Sequence, residues 1–474
     1  MVAISIVNLK IVQREDNLSS LFYRKEILDA LDVLDTYIAK KGGFSLNNQY
    51  FIKKIETRTF HTYSSAYYTT SDKGYPLVQV STLNDCFLKF EKYISRNFED
   101  KFRGKFLFPK GSIFISRGGT LGLVGINYEH KYCSISQDVI GIYPNESKIK
   151  PEVLFAFFLS KYGQAVLHLC TMGAVQPHLE LSKLKEKIVP LFCKEFQFYI
   201  EQLIKQAYEK RKLAEQKYQQ AEEILYELLG ISKEDIERLE AEKAYETNFK
   251  EVKQAFRFDA EYYRPKYSIS DKIFKQIPSE RLGSKEYFEL KKGIEVGSDA
   301  YCDENRGVLF LRVSNLSRNG LKLNPSDKYI FKGVYEKLRP EYEPKEGEVL
   351  FSKDGTIGTA TVVDSGFPPF IISGGVVRII IKKDFDPYYL AFALNSILSK
   401  LQVTREKTGT VIEHLRFSKL KEIKVPKLPL SQQQEIANLV KEYFKLRKEA
   451  RQLIQRAIRE VEEAIENASR SNGE

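Results

Sequence analysis

The chain has 474 residues and a net charge of +11, with a mean hydropathy of −0.35. That length suits two domains of about 190 residues with connectors better than one, and no apolar run approaches the roughly 20 residues of a membrane span. Residues 1–10 have no basic start, long apolar stretch or small-residue cleavage site, so no secretory signal is read there and a cytoplasmic location is expected.

Residues 77–80 (Leu-Val-Gln-Val), 112–115 (Ser-Ile-Phe-Ile) and 139–143 (Val-Ile-Gly-Ile-Tyr) read as strands between Gly, Asn, Asp and Pro turns. A helix candidate follows at 151–158, with Pro151 in the first turn, where a helix tolerates it. A long helix is expected over 196–229. Its residues Ile200, Ile204, Ala207, Arg211, Ala214, Tyr218, Ala221, Leu225 and Leu228 recur at alternating steps of four and three. Such steps make a coiled-coil seam, and Gly230 is the expected C-terminal stop.

The second half offers the same order. Strands are expected at 308–313, 348–351 and 376–381, and a proline-led helix at 387–394. A second long helix, 432–466, carries the seam Ile436, Val440, Tyr443, Arg447, Ala450, Ile454, Ala457, Val461 and Ala464. The likeness is a true repeat. Gly173 to Pro190 lies over Gly409 to Pro426, a shift of 409 − 173 = 236, and 11 of those 18 positions are identical. Gly111-Ser-Ile-Phe-Ile-Ser-Arg-Gly-Gly-Thr-Leu-Gly122 lies over Gly347-Glu-Val-Leu-Phe-Ser-Lys-Asp-Gly-Thr-Ile-Gly358 in the same register.

A repeat of this length is a duplicated domain with its connector, beyond the roughly 20–50 residues of a solenoid unit. The fold class read from it is α+β. Two similar mixed α/β domains are expected, separated by an antiparallel pair of long coiled-coil helices, with a pseudo-twofold internal repeat. The expected divisions are 1–190, the first domain, and 191–243, its long helix region. Residues 244–426 then form the second domain and 427–474 its long helix region. At about 1.5 Å per residue each helix is on the order of 50 Å long, enough to act as a ruler between domains. The plainer alternative is that each helix only packs on its own domain.

Chemistry-bearing motifs are scarce. The sequence has no P-loop, no methyltransferase Asn/Asp-Pro-Pro-Tyr/Phe, no H-E-x-x-H and no G-x-S-x-G. Cys86, Cys133, Cys170, Cys193 and Cys302 form no C-x-x-C pair, so neither a zinc site nor a disulfide framework is indicated. Glu422-Ile-Lys424 has the spacing of a nuclease E-x-K triplet. Its repeat mate is Glu186-Lys-Ile188, without the lysine, which reads more simply as a surface position. No metal or cofactor site is expected.

The positive balance favours a polyanionic partner, nucleic acid first, over a merely well-solvated surface. The best-equipped segments for such a partner are the loops after the middle strands, Ser116, Arg117 and Thr120 in one copy and Ser352, Lys353 and Thr356 in the other. Each offers hydroxyls, one basic residue and glycine, which lets backbone N–H groups approach an anion. A tight turn needing glycine for its own geometry is the competing reading. Gln176 and His178, with Thr410 and His414, lie in the 173–190 and 409–426 match. The two histidines can contact DNA or hold their own loops. Gln79 and Ser81, with Arg312 and Ser314, at the ends of the first strands, complete the candidate set. Framework residues match between the copies while these contact candidates differ, as two domains reading two sequences would require.

Three further segments carry a family likeness. They are Arg257-Phe-Asp-Ala-Glu-Tyr-Tyr-Arg-Pro-Lys-Tyr267, the strand and loop 347–358, and Leu428-Pro-Leu-Ser-Gln-Gln-Gln-Glu-Ile436, where Gln432 replaces a usual glutamate. In the first copy the opening survives as Phe22-Tyr-Arg24 and the helix lead as residues 191–196. Over nearly its whole length the chain resembles the specificity subunit of type I restriction-modification systems. The resemblance implies a noncatalytic subunit in which each domain reads half of a split site in double-stranded DNA. It implies helices that set the spacer and dock two adenine methyltransferase (modification) subunits. Those partners, not this chain, would carry S-adenosylmethionine, and restriction or translocase subunits can join. A helical protein-interaction scaffold without sequence-specific DNA binding is the alternative, and a magnesium nuclease using Glu422 and Lys424 a third.

Overall fold

Runs of β-branched and aromatic residues between turn residues favour the pleated, half-buried surface of a sheet. The computed structural model describes residues 25–60, 67–173, 177–232, 235, 246–323, 326–409 and 413–470. All six expected strands are present: Gly74–Val78, Ile113–Ser116, Val139–Pro144, Gly307–Leu311, Val349–Ser352 and Val376–Ile381. The proline-led helices are Pro151–Leu159 and Pro387–Asn395. Asp386 caps the second, its carboxylate accepting from the N–H groups of Tyr388 and Tyr389 at 2.8 and 3.2 Å.

The chain divides into two units, Met1–Arg211 with Lys448–Glu474, and Lys212–Arg447. In the first, a four-stranded antiparallel sheet runs in the order Ile52–Thr57, Val139–Pro144, Ile113–Ser116, Val124–Ile126. A second, five-stranded sheet holds Gly74–Val78 parallel to Tyr132–Ile135. Helix Pro151–Leu159 buries Val153, Leu154, Phe155, Phe157 and Phe158 in the same core as Ile113, Ile115, Ile140 and Ile142. A two-stranded ribbon, Gly43–Ser45 with Ile188–Pro190, closes the domain.

The second unit repeats this plan with its own residues. Its four-stranded sheet runs Phe288–Lys292, Val376–Ile381, Val349–Ser352, Ala360–Val362. Gly307–Leu311 runs parallel to Phe370–Ile372 in a further four-stranded sheet. The ribbon is Ser279–Arg281 with Lys424–Pro426. The two ribbons end at Pro190 and Pro426.

Each unit also buries one arginine–glutamate pair. Arg58 is fully buried. It donates to Ile135 O at 2.8 Å and Ser134 Oγ at 2.9 Å, pairs with Glu99, and lies within 4.3–5.7 Å of the rings of Phe60, Phe98, Phe102 and Phe106. Burial lowers its guanidinium's affinity for a proton, and Glu99 opposes that. In the second unit Arg378 makes a bidentate pair with Glu348 at 2.7 and 2.8 Å.

The long helices are Lys194–Leu228 and Leu430–Arg470. In the first unit their segments pair antiparallel: Tyr199 OH donates to Glu460 at 2.8 Å and Lys210 to Glu449 at 2.6 Å. Eleven residues along one helix (210 − 199) match eleven back along the other (460 − 449). In the second unit Lys217 pairs with Glu442 at 3.0 Å, Arg447 with Glu215 at 3.0 Å, and the rings of Tyr218 and Tyr443 lie 5.0 Å apart. Ile200, Ile204, Ala207, Ala214, Tyr218, Ala221 and Leu225 are all buried, as are Ile436, Val440, Tyr443, Arg447, Ala450, Ala457 and Val461.

Arg211 and Ile454 are only partly buried, and the expected seam shifts at its last step in both helices. Leu228 is 37% exposed, and Leu229 at 6% takes its place. Ala464 is only partly buried, and Ile465 at 0% takes its place. A straight helix of 3.6 residues per turn drifts out of a strict 3.5 repeat, and a step of four restores the phase. Gly230 stops the first helix at φ 65°, with Ile231 N–H donating to Tyr226 O at 2.9 Å. Among the described residues no helix is long and apolar enough to cross a membrane.

Candidate nucleic-acid interface

In the first unit three segments converge beside the end of the central strand Ile113–Ser116. The chain leaving Ser116 must turn sharply, and Gly119 and Gly122 supply φ values of 68° and 74°. Ser116 closes this turn. Its hydroxyl donates to Thr120 O at 2.6 Å and accepts from Leu123 N–H at 2.8 Å. A side chain at Gly119 would lie 3.9 Å from Val80, so the short 3-10 turn Val80–Asn84 packs against this loop. The strand pair Thr171–Met172 with His178–Leu179 supplies the third segment. Leu179 N–H donates to Arg117 O at 2.9 Å, and Arg117 Nε donates to Leu179 O at 3.1 Å.

The second unit builds the same convergence. Gly355 and Gly358 have φ 65° and 82°. Ser352 Oγ donates to Thr356 O at 2.6 Å and accepts from Thr359 N–H at 2.9 Å. A side chain at Gly355 would lie 3.9 Å from Val313, which opens the 3-10 turn Val313–Asn315. Leu415 N–H donates to Lys353 O at 2.7 Å. Lys353 Nζ donates to Asp354 Oδ2 at 2.6 Å, and the other oxygen of Asp354 meets His414 Nδ1.

The structure therefore brings together most of the expected residues. Gln79 precedes the first 3-10 turn, its N–H donating to Thr82 Oγ1 at 3.0 Å, and Ser81 is exposed on it. Arg312 holds the matching place. Its N–H donates to Asn315 Oδ1 at 2.9 Å and its guanidinium to Ser326 O at 2.8 Å, and Ser314 is exposed on the turn. Arg117, Lys353 and His178 are half-buried, while Thr120, Thr356 and His414 are exposed. Gln176 and Thr410, like Phe22-Tyr-Arg24, lie outside the described residues.

Two expectations change. Ser116 and Ser352 are 0% exposed and both hydroxyls are committed to their own turns, so as placed they hold loop shape and present nothing to a ligand. Two residues were missing from the expected set. Asp138 and His178 both approach the place a side chain on Gly118 would take, and Asp354 bridges Lys353 and His414. The sequence carried a signal for both, because glycine and aspartate exchange places between the copies: Arg117-Gly118 against Lys353-Asp354, and Gln137-Asp138 against Gly374-Gly375. The nuclease triplet is not built as a site. Glu422 pairs with Lys419 at 3.0 Å, and Lys424 is a ribbon residue. Among the described residues no group of three or more metal-ligating side chains converges.

The two units also match a known family. A family model described as the type I restriction modification DNA specificity domain matches residues 52–223 and again 285–456. The chain belongs to the type I restriction-modification specificity family. The two matches start 285 − 52 = 233 residues apart, the same shift that carries Gln79 onto Arg312. Each match spans one domain and part of the long helix that follows. The chain is thus a specificity subunit with two target recognition domains. Among solved structures it is similar to the S subunit of the type I restriction-modification system from M. genitalium. That similarity is at 13% identity and a TM-score of 0.43, over 90% of this chain and 95% of that one. The HsdS subunit from Thermoanaerobacter tengcongensis is similar at 13% identity and a TM-score of 0.28, over 90% and 96%. No curated protein sequence matches.

Proposed function

We propose that the chain is the noncatalytic DNA-reading subunit of a type I restriction-modification complex. Each target recognition domain reads one half of a split site in double-stranded DNA through its converged loops, centred on Arg117 and His178 in one and Lys353 and His414 in the other. The long helices set the unread spacer and dock two adenine methyltransferase subunits, which bind S-adenosylmethionine. Restriction or translocase subunits can join that assembly, in the cytoplasm. The observation that carries this reading is the repeated loop convergence: the same backbone frame in both units, with different side chains at the same places. Phosphate contacts from the basic residues fix register, and the variable side chains read base edges.

The test is methylome sequencing of a host expressing the neighbouring methyltransferase with and without this chain. A split, adenine-methylated motif present only with the chain supports the reading and names both half-sites. Unchanged methylation in an assembled, active complex overturns it in favour of a scaffold.

A further inference from the structure

A carboxylate meets the loop histidine in the second unit and shares the space around Gly118 with it in the first, and the two units supply it from different residues. In the first unit position 118 is glycine. A methyl group there would stand 2.7 Å from Asp138 Oδ1 and 3.2 Å from His178 Nδ1. The Asp138 carboxylate fills the space a residue-118 side chain would occupy. In the second unit that side chain exists. Asp354 meets His414 through one oxygen and Lys353 through the other, and the facing residue is Gly375.

The backbone shows that these positions correspond. Arg117 N–H donates to Asp138 O at 2.8 Å, and Lys353 N–H donates to Gly375 O at 2.9 Å. A side chain on Gly375 would meet Val313 first, at 2.9 Å, with Asp354 Oδ2 at an ordinary contact distance of 3.5 Å. Neither Gly118 nor Gly375 has a positive φ, so backbone conformation does not call for glycine at either place. Crowding does: by the Asp138 carboxylate at Gly118, and chiefly by Val313 at Gly375. The space holds one carboxylate, and the source has been exchanged between the copies.

A loop built only to grip phosphate would lack an acid, which repels the backbone of DNA. A carboxylate beside an imidazole has another use: it fixes the ring's orientation and tautomer, leaving Nε2 as the remaining polar atom. We propose that Asp138 and Asp354 are positioning residues, one per target recognition domain, that set His178 and His414 for contact with a base edge. The inference rests on the DNA-reading role proposed above.

The test uses the full chain in its methyltransferase complex and reads base preference at each half-site by methylome sequencing. The second half-site serves as the internal control. Asp138→Gly relaxes the preference at one or more positions of the first half-site and lowers methylation there about tenfold, the worth of one lost base contact. His178→Gln relaxes the same positions, which a merely structural role for Asp138 would not require. Gly118→Asp crowds two acids into one space and also impairs the first half-site. The double variant Gly118→Asp/Asp138→Gly rebuilds the arrangement of the second unit and recovers to within about threefold of wild type. A double variant no better than the worse single overturns the inference, even where the singles lower the melting temperature. So do singles that match wild type, or a His178→Gln motif altered at different positions. A wild-type complex with no sequence-specific methylation sinks the DNA-reading role itself, so the two failures are distinguishable.

Discussion

A serine at the end of a strand can serve a ligand or its own loop, and burial decides between them at Ser116 and Ser352. Ser352→Ala leaves Thr359 N–H and Thr356 O without their partner and should cost about 1–3 kcal/mol of second-unit stability in denaturant unfolding. Lost DNA affinity at unchanged stability would instead return Ser352 to the contact set. Glu152 is a residue whose charge the fold controls. It is 3% exposed, Tyr128 OH donates to its Oε1 at 2.7 Å, and its Oε2 has no protein partner. Burial lifts its carboxyl above the ordinary 4.5, and the Tyr128 bond only partly opposes this. The folded state therefore keeps a proton that the unfolded chain releases. The resulting stability is fully present below pH 4.5 and is lost as pH rises through the raised value. Glu152→Gln should flatten that decline in unfolding curves collected from pH 4.5 upward, and an unaltered slope would show that another group causes it. Little of this was legible in the sequence. A polar residue's type says what it can bond, but its partner comes from strands that are distant in the chain, as Arg58 and Glu99 show.

At the scale of elements the sequence is far more readable, because periodicity and turn chemistry are local. The strands, the proline-led helices and both long helices follow from patterns of 2.0 and 3.6 residues. The pairing of those strands does not. Nothing in Gly74–Val78 announces a parallel partner at Tyr132–Ile135, since a βαβ-like return is a property of the whole sheet. The helix seam shows where local pattern stops sufficing. A strict alternation of steps selects Leu228, whereas the fold buries Leu229, one residue past the helix end. Leu229→Ala should therefore cost about 2–5 kcal/mol through its lost packing, and Leu228→Ala a small fraction of that. Denaturant midpoints for the two variants check this directly, and equal costs would mean that the seam keeps its strict repeat.

For the whole molecule, duplication explains why one set of frame residues carries two sets of side chains. Gly119 and Gly355 pack on Val80 and Val313 in the same way, while Gln79 faces the role of Arg312 and Gly118 that of Asp354. A frame fixed by glycine angles and buried serines can keep its shape while exposed residues vary, which is what two independent readings of DNA need. If the long helices set the spacing between those readings, their length is a controllable variable. Repeating residues 212–218 and 448–454 once adds a heptad to each helix and preserves the seam's phase, whereas four added residues would shift it. The added rise is about 10.5 Å, roughly three base pairs at 3.4 Å per step. Three steps also turn one half-site by nearly a third of a helical turn, so binding should weaken. The expected methylated motif keeps both half-site sequences and gains about three unread base pairs between them, at reduced efficiency. An unchanged spacer in a folded, methylating complex would show that the distance is set by the domains or by the methyltransferases, and the helices would then be docking elements alone.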